Sequence, residues 1–367
     1  MIQFLVPKTV SFTMREYLEL WGRDLSERIT IRNYEDLPHW EALPSGAYIL
    51  AALDHLYPAG RRALAHVCDQ LAAAGPAVRF LNSPEGTHLR LPLLQELHRR
   101  GWNRFRAVPA TEDPEGLRFP VFLREEHWHT GALTPLLRTT AELKSAVARM
   151  MVRGHRRGDL LVVEFCDTPS PDGSYRKYSA FCVGSEVIPR ALELGSHWMV
   201  KHRQSTVSAA SLREERAYVL ENPHEEQLRR IFRAARVDYG RIDYSLRDGQ
   251  VQTWEINLNP TIGRGLRPPS GHVASELRPI RDETKKHFYR RFQAALERID
   301  AEGPAPVEIP IRLDCGTPRR TELLIRTYGP ARWLTALRRT FRPIRPQLDR
   351  LVAAVSPWLV RPSRRAG

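Results

Sequence analysis

The stretch Gly240-Arg-Ile-Asp-Tyr-Ser-Leu-Arg-Asp-Gly-Gln-Val-Gln-Thr-Trp-Glu-Ile-Asn-Leu-Asn-Pro-Thr-Ile-Gly263 decides the fold of this chain. Residues 241–246 alternate polar and apolar side chains, which is the period of a strand with one buried face. The pair Asp248-Gly249 supplies the positive φ values that a tight hairpin turn requires, and residues 251–256 form the return strand. The pattern predicts a β-hairpin whose second strand ends in a polar Glu-x-Asn-x-Asn-Pro segment.

The hairpin places oxygen-bearing side chains where they can meet. Because side chains alternate along a strand, Glu255 and Asn257 project on the same face, and the turn brings Asp243 beside them on the neighbouring strand. Two carboxylates and an amide oxygen are hard ligands of the kind that Mg²⁺ prefers, with water and phosphate oxygens completing the coordination shell. The spacing therefore predicts a metal site at these three residues; the alternative is a solvated strand end.

The composition is that of a soluble globular protein. The chain has 367 residues, of which 42% are hydrophobic and 27% charged, enough for a large core in two or three domains. No run of about 18 apolar residues occurs, and the N-terminus is typical of a first strand, not of a signal peptide. We expect a cytoplasmic protein whose scattered cysteines are buried free thiols. They are Cys68, Cys166, Cys182 and Cys315.

The net charge of +14 is concentrated at the C-terminus. From Ile311 to Gly367, thirteen Arg stand against three acidic residues, a net charge of +10. Apolar residues spaced alternately three and four apart predict helices near 330–341 and 347–356, separated by prolines. This basic tail, 330–367, could dock on the protein's own body, on a protein partner or on an anionic membrane surface. We expect no specific nucleic-acid partner, since no recognisable binding module accompanies the charge.

The rest of the chain reads as an α/β protein. Apolar strands are predicted at 47–53, 78–81, 119–124 and 160–165, and helices at 60–74, 88–100, 283–299 and from the Thr139-x-x-Glu142 capping box to about Arg153. The strand at 160–165 has almost no polar residue before its end, so it should be central in its sheet. Residues 175–183 and 186–191 form a second predicted hairpin around Gly184.

The order of these parts resembles the ATP-grasp superfamily over roughly residues 78–300. The Arg-Ile-Asp and Glu-x-Asn-x-Asn-Pro motifs are most similar to those of carboxylate–amine ligases of the D-alanine–D-alanine ligase type. The resemblance implies an ATP-grasp fold, with an N-terminal α/β domain over 1–86 and two α+β subdomains, 87–160 and 161–300, that sandwich a nucleotide. Residues 301–367 would add a linker and a basic helical extension.

The resemblance implies a role for each matching residue. Asp243, Glu255 and Asn257 would hold Mg²⁺, or Mn²⁺, against the phosphates of ATP, and Arg241 and Arg190 would be catalytic, Arg241 by stabilising the transferring phosphoryl group or a tetrahedral intermediate. The remaining assignments concern the nucleotide and the substrates. The nucleotide would contact Arg124, Glu164, Phe165, Asp167, Arg176 and Lys201, and the substrates would contact Asn259, Arg264 and Arg267.

Two departures from the family pattern concern the phosphate site. Arg124 stands where the family usually has Lys, which keeps the charge but not the compact ammonium geometry. The loop 125–132 that should cover the phosphates contains one glycine, and carries His127 and His129. These histidines could contact phosphate or form a zinc pair, although no third ligand is evident. His202, beside Lys201, could contact phosphate or substrate.

The implied activity is an ATP-dependent ligation. A small-molecule or peptide carboxylate would attack the γ-phosphorus, and an amine would then take the acyl group from the acyl phosphate, releasing ADP and phosphate. The alternatives are a kinase on the same scaffold and a degenerate nucleotide-binding scaffold that engages partners through its tail. Similar proteins are frequently dimers, so a homodimer is a further expectation.

Overall fold

The chain divides into two units, each described here by itself. The computed structural model describes residues 1–129, 131–200, 207–262, 275–301 and 306–313. Among the described residues, the first unit joins Met1–Leu97 to the residues from Asp167 onward, and the second unit lies within His98–Cys166; the rest of the second unit, Tyr328–Gly367, lies outside the described residues. Within these ranges, no helix combines the length and the apolarity that crossing a bilayer requires.

A parallel sheet begins the first unit. Its order is β2-β1-β4-β5, and its strands are β1 (Ile2–Val6), β2 (Ile29–Asn33), β4 (Gly46–Leu50) and β5 (Val78–Leu81). The strands β1 and β4 are buried along their whole length, as expected where both faces of a parallel sheet are covered. The helices of this part are α1 (Phe12–Leu20) and α2 (Pro58–Ala73), and a short antiparallel pair joins β3 (Ala42–Pro44) to β13 (Glu308–Pro310).

The strand predicted at 47–53 ends early. The chain leaves the sheet after Leu50, and Ala52 adopts a left-handed conformation with φ of 52°. The N–H group of Ala52 donates to the carbonyl of Leu258, at 3.1 Å. Ala52 thus bonds to a distant part of the chain and not to a neighbouring strand of the sheet. The apolar run in the sequence does not reveal this early end of the strand.

An antiparallel sheet completes the first unit. Its order is β10-β9-β11-β12, and its strands are β9 (Tyr175–Val183), β10 (Glu186–Gly195), β11 (Tyr239–Arg247) and β12 (Gln250–Asn257). The hairpin predicted from the opening stretch is confirmed: Asp248 and Gly249 have φ values of 51° and 73°, as a turn between twisted strands requires.

Three helices accompany this sheet: α5 (Ala209–Glu221), α6 (Glu225–Ala235) and α7 (Arg278–Ala301). The apolar side of α7 carries Phe288 and Phe292, whose ring centroids each lie 5.3 Å from the Phe181 ring of β9. These rings belong to one buried cluster that also contains Phe4 and Ile49 of the parallel sheet. The two sheets of the first unit therefore share a core.

Asn82 connects the two sheets by hydrogen bonds. It follows β5 with φ of 69°, and its side chain is buried. Its amide nitrogen donates to the carbonyls of Leu50, at 3.1 Å, and Tyr239, at 2.8 Å. Its amide oxygen accepts the N–H groups of Asp238, at 2.9 Å, and Tyr239, at 3.1 Å. The end of the parallel sheet is thus tied to the start of β11.

The second unit has its own sheet and core. The order β6-β8-β7 places β8 (Leu160–Glu164) between β6 (Ala107–Pro109) and β7 (Val121–Glu125), so the prediction that residues 160–165 form a central strand is confirmed. The helix α4 (Thr140–Val152) begins at its predicted cap, where the Thr139 side chain accepts the N–H of Glu142. The helix α3 (Arg90–Arg99) spans the boundary between the units in sequence. The α/β class predicted from the sequence is confirmed.

A histidine at the start of α6 belongs to a buried hydroxyl chain. The Tyr244 hydroxyl donates to that of Tyr218, at 3.1 Å, and the Tyr218 hydroxyl donates to the carbonyl of Ser179, at 2.9 Å. Tyr244 must therefore accept the Nδ1–H of His224, 2.8 Å away. Burial lowers the pKa of His224 below its usual value, because the imidazolium loses hydration there.

This lowered pKa predicts an acid-sensitive fold. The unfolded chain binds a proton at His224 near pH 6.5, whereas the folded chain resists protonation to lower pH. The stabilisation by His224 is thus complete above about pH 6.5 and is lost as the pH falls through the folded-state pKa. We expect urea midpoints to fall between pH 7 and pH 5, and to fall less in His224→Asn, whose amide can replace the Nδ1 donor. His66→Asn, at an exposed site on α2, serves as the control. An equal fall in His224→Asn and the wild type would contradict the assignment.

Candidate active site

Two rows of residues cross the antiparallel sheet beside each other. In one row Ser179 of β9 pairs with Asp243 of β11, and Asp243 pairs with Glu255 of β12. In the other, Arg241 of β11 pairs with Asn257 of β12. Because the rows are two residues apart along β11, their side chains lie on the same face of the sheet. The predicted metal ligands and Arg241 are therefore brought together.

A β-bulge borders these rows. The register shifts after Asp243, so that Tyr244 pairs with Thr253 and Trp254 is the extra residue. A bulge increases the local twist and changes the direction of the adjoining side chains, and bulges often lie next to active sites. Here it separates the charged end of the hairpin from the part that leads to the turn.

Each carboxylate of the site contacts a cation. Arg241 donates from Nε to Asp243 at 2.8 Å and from Nη2 at 3.3 Å. Arg90, the first residue of α3, donates to Glu255 at 2.6 Å. Lys177 of β9 lies 2.8 Å from the carboxylate of Glu193 and 3.8 Å from that of Asp243. The site thus combines three cations with three carboxylates.

Two of these cations, Lys177 and Arg241, have raised pKa values. Burial opposes the charged form of Lys177, but the carboxylates of Asp243 and Glu193 outweigh that cost and raise its pKa. Arg241 follows the same pattern: burial opposes its charged form, but the carboxylates of Asp243, Glu255 and Glu193 together outweigh that cost and raise its pKa. The cluster is consequently close to electroneutral, with fixed positive groups beside oxygen ligands.

The donor set fits a hard divalent cation. Asp243 and Glu255 are cross-strand partners, and Asn257 is the next residue on the same face. The Asn257 side-chain oxygen accepts the N–H of Asn259 at 2.9 Å, which holds the amide in place and leaves a second lone pair. When bound there, Mg²⁺ would neutralise phosphate oxygens, and these three residues would hold it.

Asn259 connects the hairpin to the N-terminal loop. Its amide nitrogen donates to the carbonyl of Val10 at 3.0 Å, and its oxygen accepts the hydroxyl of Thr13 at 2.7 Å. The contact of Asn259 with a substrate stays a prediction. In the structure its side chain forms hydrogen bonds within the protein, to Val10 and Thr13. The loop between β1 and α1 is thereby held beside the end of β12.

Arg190, predicted to be catalytic, is the extra residue of a second bulge, between Pro189 and Ala191 of β10. Its guanidinium carbon lies 4.4 Å from the centroid of the Phe288 ring, and Nη2 lies 3.4 Å from the Tyr289 hydroxyl. Burial lowers its pKa. Since Phe288 covers the face that carries Phe181 and its row partner Arg241, Arg190 lies on the same face as the metal ligands.

Arg176, predicted to contact phosphate, points away from these residues. It pairs with Glu214 of α5 at 2.6 Å and with Asp172 at 3.1 Å. Its neighbour Lys177 occupies the face of Asp243 instead. Because side chains alternate along a strand, only one of Arg176 and Lys177 can face the site. The pairing of β9 with β11, which the sequence alone does not give, decides that it is Lys177. No sequence pattern predicted that Arg90 and Glu193 would lie at this site.

In the second unit, Glu164, which is predicted to contact the nucleotide, is enclosed by its own sheet. Its carboxylate accepts the N–H and Nε of Arg106, at 3.1 and 3.0 Å, and the N–H of Arg118, at 2.8 Å. The N–H groups of Glu164 and Phe165 donate to the carbonyls of Arg106 and Pro120. Arg124 of β7 is 7% exposed.

The remaining predicted residues are accounted for as follows. Asp167, in the first unit, accepts the hydroxyl of Tyr175 at 2.9 Å. Lys201, His202, Arg264 and Arg267 lie outside the described residues, as does the tail 330–367. Of the four cysteines, Cys68, Cys166 and Cys182 are buried free thiols as predicted, and Cys315 lies outside the described residues.

Comparison with known proteins places the chain beside several ligases. Neither a protein-family model nor a curated protein matches the sequence. Among solved structures, the D-alanine–D-alanine ligase from Bacillus anthracis complexed with ATP is similar, with a TM-score of 0.45 and 13% identity, over 83% of this chain and 100% of that one. The D-alanine–D-alanine ligase from Coxiella burnetii has a TM-score of 0.41 and 10% identity, over 82% and 98%.

A third similar structure is a RimK domain protein ATP-grasp from Sphaerobacter thermophilus DSM 20745, with a TM-score of 0.40 and 12% identity, over 79% of this chain and 98% of that one.

Proposed function

We propose that this protein is an ATP- and Mg²⁺-dependent ligase that activates a carboxylate as an acyl phosphate and joins it to an amine. The observation that carries the proposal is the alignment of Asp243 with Glu255, and of Arg241 with Asn257, on one face of the hairpin. Two carboxylates, an amide and a guanidinium on adjoining rows supply both metal ligands and a fixed positive charge. Ser179, which lies on this face, donates its hydroxyl to the carbonyl of Ala191, at 3.4 Å, and the proposal therefore takes positioning and charge stabilisation as the source of rate.

The proposed reaction has two steps, formation of the acyl phosphate and transfer of the acyl group to the amine. In the first, a substrate carboxylate oxygen attacks the γ-phosphorus, the bond to the β-phosphate oxygen breaks, and ADP leaves. In the second, an amine attacks the acyl carbon, the carbon–oxygen bond to phosphate breaks, and the amine releases a proton. Arg241 would stabilise the negative charge that develops in either step. Lys177 and Arg90 would keep Asp243 and Glu255 oriented through their ion pairs.

The test measures ADP release from Mg·ATP with panels of carboxylates and amines. The proposal expects release that needs both substrates, and an amide product in equal amount. In Glu255→Gln we expect turnover to fall by at least about 10²-fold, as for the loss of groups that hold a metal. Glu283→Gln, which removes half of an exposed ion pair with Arg216, is the matched control.

Other outcomes would point to the alternatives. A stable phosphorylated product formed without amine would identify a kinase. Failure to bind Mg·ATP in a calorimetric titration would leave only a scaffold. Full turnover in Glu255→Gln would remove the metal assignment.

A further inference from the structure

Asp243, one of the proposed metal ligands, has both of its carboxylate oxygen atoms engaged by the protein itself. Arg241 donates from Nε to Oδ1 at 2.8 Å and from Nη2 to Oδ2 at 3.3 Å. This two-pronged pairing is the strong and geometrically specific form of an arginine–carboxylate contact. A divalent cation that binds Asp243 therefore has to share these two oxygen atoms with a guanidinium that already holds them.

The surroundings make that sharing unfavourable. The Asp243 side chain is 8% exposed and that of Arg241 is 23% exposed, so water screens the charges poorly. A dication and a guanidinium on the same carboxylate repel each other at close range. Moving the guanidinium away is also unfavourable, because a buried pair that loses one member leaves the other charge uncompensated. Arg241 thus opposes the binding of a metal ion by itself.

Lys177 is the second cation near Asp243, but its position differs in one respect. Its ammonium lies 3.8 Å from the Asp243 carboxylate and 2.8 Å from that of Glu193, so it keeps a partner when Asp243 binds a metal ion. Among the residues that the structure describes, Asp243 is the only one to which the Arg241 side chain donates a hydrogen bond. The guanidinium therefore needs an anion from outside the protein before it can release Asp243.

A phosphate group has the chemistry that this guanidinium needs. Guanidinium groups bind phosphate with the same two-pronged geometry as carboxylate, and the Arg241 side chain is exposed enough to be reached. Mg²⁺ takes oxygen ligands from protein carboxylates and from phosphates together. One phosphate chain can thus bind Arg241 and complete the coordination of a metal ion at Asp243.

We propose that Arg241 makes metal binding at Asp243 conditional on the nucleotide. Its guanidinium competes with the metal ion for the carboxylate, and the phosphates of the nucleotide remove this competition by binding the guanidinium. Metal ion and nucleotide then strengthen each other's binding, and this mutual strengthening depends on Arg241. This role of Arg241 rests on the proposed function, in which Asp243 is a metal ligand.

The test titrates the full-length protein with Mn²⁺ in the absence of nucleotide, and follows the free ion by electron paramagnetic resonance. We expect Arg241→Gln to bind Mn²⁺ about tenfold more tightly than the wild type, which is within the usual range of coupling between two ligands. Arg241→Lys, which keeps the charge but not the two-pronged geometry, should gain less. Lys177→Gln should also gain less than Arg241→Gln, because Glu193 already holds that ammonium.

Two further variants serve as controls. Arg216→Gln removes a guanidinium from the exposed pair with Glu283 and should leave the Mn²⁺ affinity unchanged. Glu255→Gln removes a proposed ligand and should abolish the binding, which shows that the ion lies at this site. The titration is then repeated with ADP, with allowance for the Mn·ADP complex that forms in solution. ADP should tighten Mn²⁺ binding by the wild type about tenfold more than by Arg241→Gln.

The outcomes separate the two proposals. If Arg241→Gln binds Mn²⁺ no more tightly than the wild type while Glu255→Gln abolishes the binding, the metal site stands and the competition by Arg241 is wrong. If Mn²⁺ binds neither the wild type nor Arg241→Gln even with ADP, or binds equally well to Glu255→Gln, the metal assignment fails and the proposed function with it. Should Arg241→Gln fail to fold, a gain of Mn²⁺ affinity in Arg241→Lys supports the proposal and an unchanged affinity overturns it.

Discussion

Replacing Arg241 with Gln should lower the rate of ligation by about 10²–10³-fold, the range found when one preorganised donor to a developing oxyanion is removed. Arg241 is the guanidinium that lies in the row next to Asp243 and Glu255, and its orientation is set by two hydrogen bonds to Asp243. The loss should fall on kcat, because the charge that Arg241 is proposed to stabilise develops in the transition state. The measurement is steady-state ADP release with an active pair of substrates.

Binding of Mg·ADP is the companion measurement. We expect its affinity in Arg241→Gln to stay within about threefold of the wild type, a change below 1 kcal/mol. Arg216→Gln removes a guanidinium from an exposed pair with Glu283, and it should leave both quantities unchanged. A variant that loses nucleotide binding and turnover in parallel would assign Arg241 to ground-state binding instead.

Replacing Asn82 with Ala should destabilise the first unit by about 3–5 kcal/mol. The change removes a buried side chain that makes four hydrogen bonds, to Leu50, Asp238 and Tyr239, and leaves buried backbone groups without partners. It also places Ala at a φ of 69°, where Asn is tolerated far better. A loss of this size is a large share of the stability of a domain.

Urea unfolding followed by tyrosine and tryptophan fluorescence gives the measurement. Asn33→Ala is the control, since the Asn33 side chain makes one long contact with Asp36, at 3.4 Å, and should cost under about 1 kcal/mol. If the two variants unfolded at the same urea concentration, the connection between the sheets through Asn82 would carry little energy.

Local patterns in the sequence were sufficient for the hairpin. Alternation gave the strands, Asp248-Gly249 gave the turn, and together they implied the pairing of Asp243 with Glu255. The central strand at 160–164 and the helix capped by Thr139 were predicted for the same reason, since apolar runs and caps act over a few residues. The face of the hairpin that carries the predicted metal ligands could be predicted because the hairpin is a local structure.

Contacts between segments that are distant in the chain could not be predicted from local sequence patterns. Lys177 joins the site through the pairing of β9 with β11, and Arg90 joins it through an ion pair across 165 residues. The helix α5 was missed because the charged run 213–216 interrupts its apolar pattern. The strand β4 ends where the chain turns to bond with Leu258. No pattern in the neighbouring sequence predicts that bond.

The division of the chain into units has a consequence for the order of folding. The described part of the second unit comes from one stretch of the chain, His98–Cys166, whereas the first unit is closed by contacts such as those of Asn82 with Tyr239, across 157 residues, and of Thr13 with Asn259, across 246. Contacts at such separations form late, because the entropy of closing the loop must be overcome before they stabilise anything. Refolding kinetics of Asn82→Ala would detect this as faster unfolding with little change in the folding rate. The proposed binding of nucleotide would then be among the last properties that a newly made chain acquires.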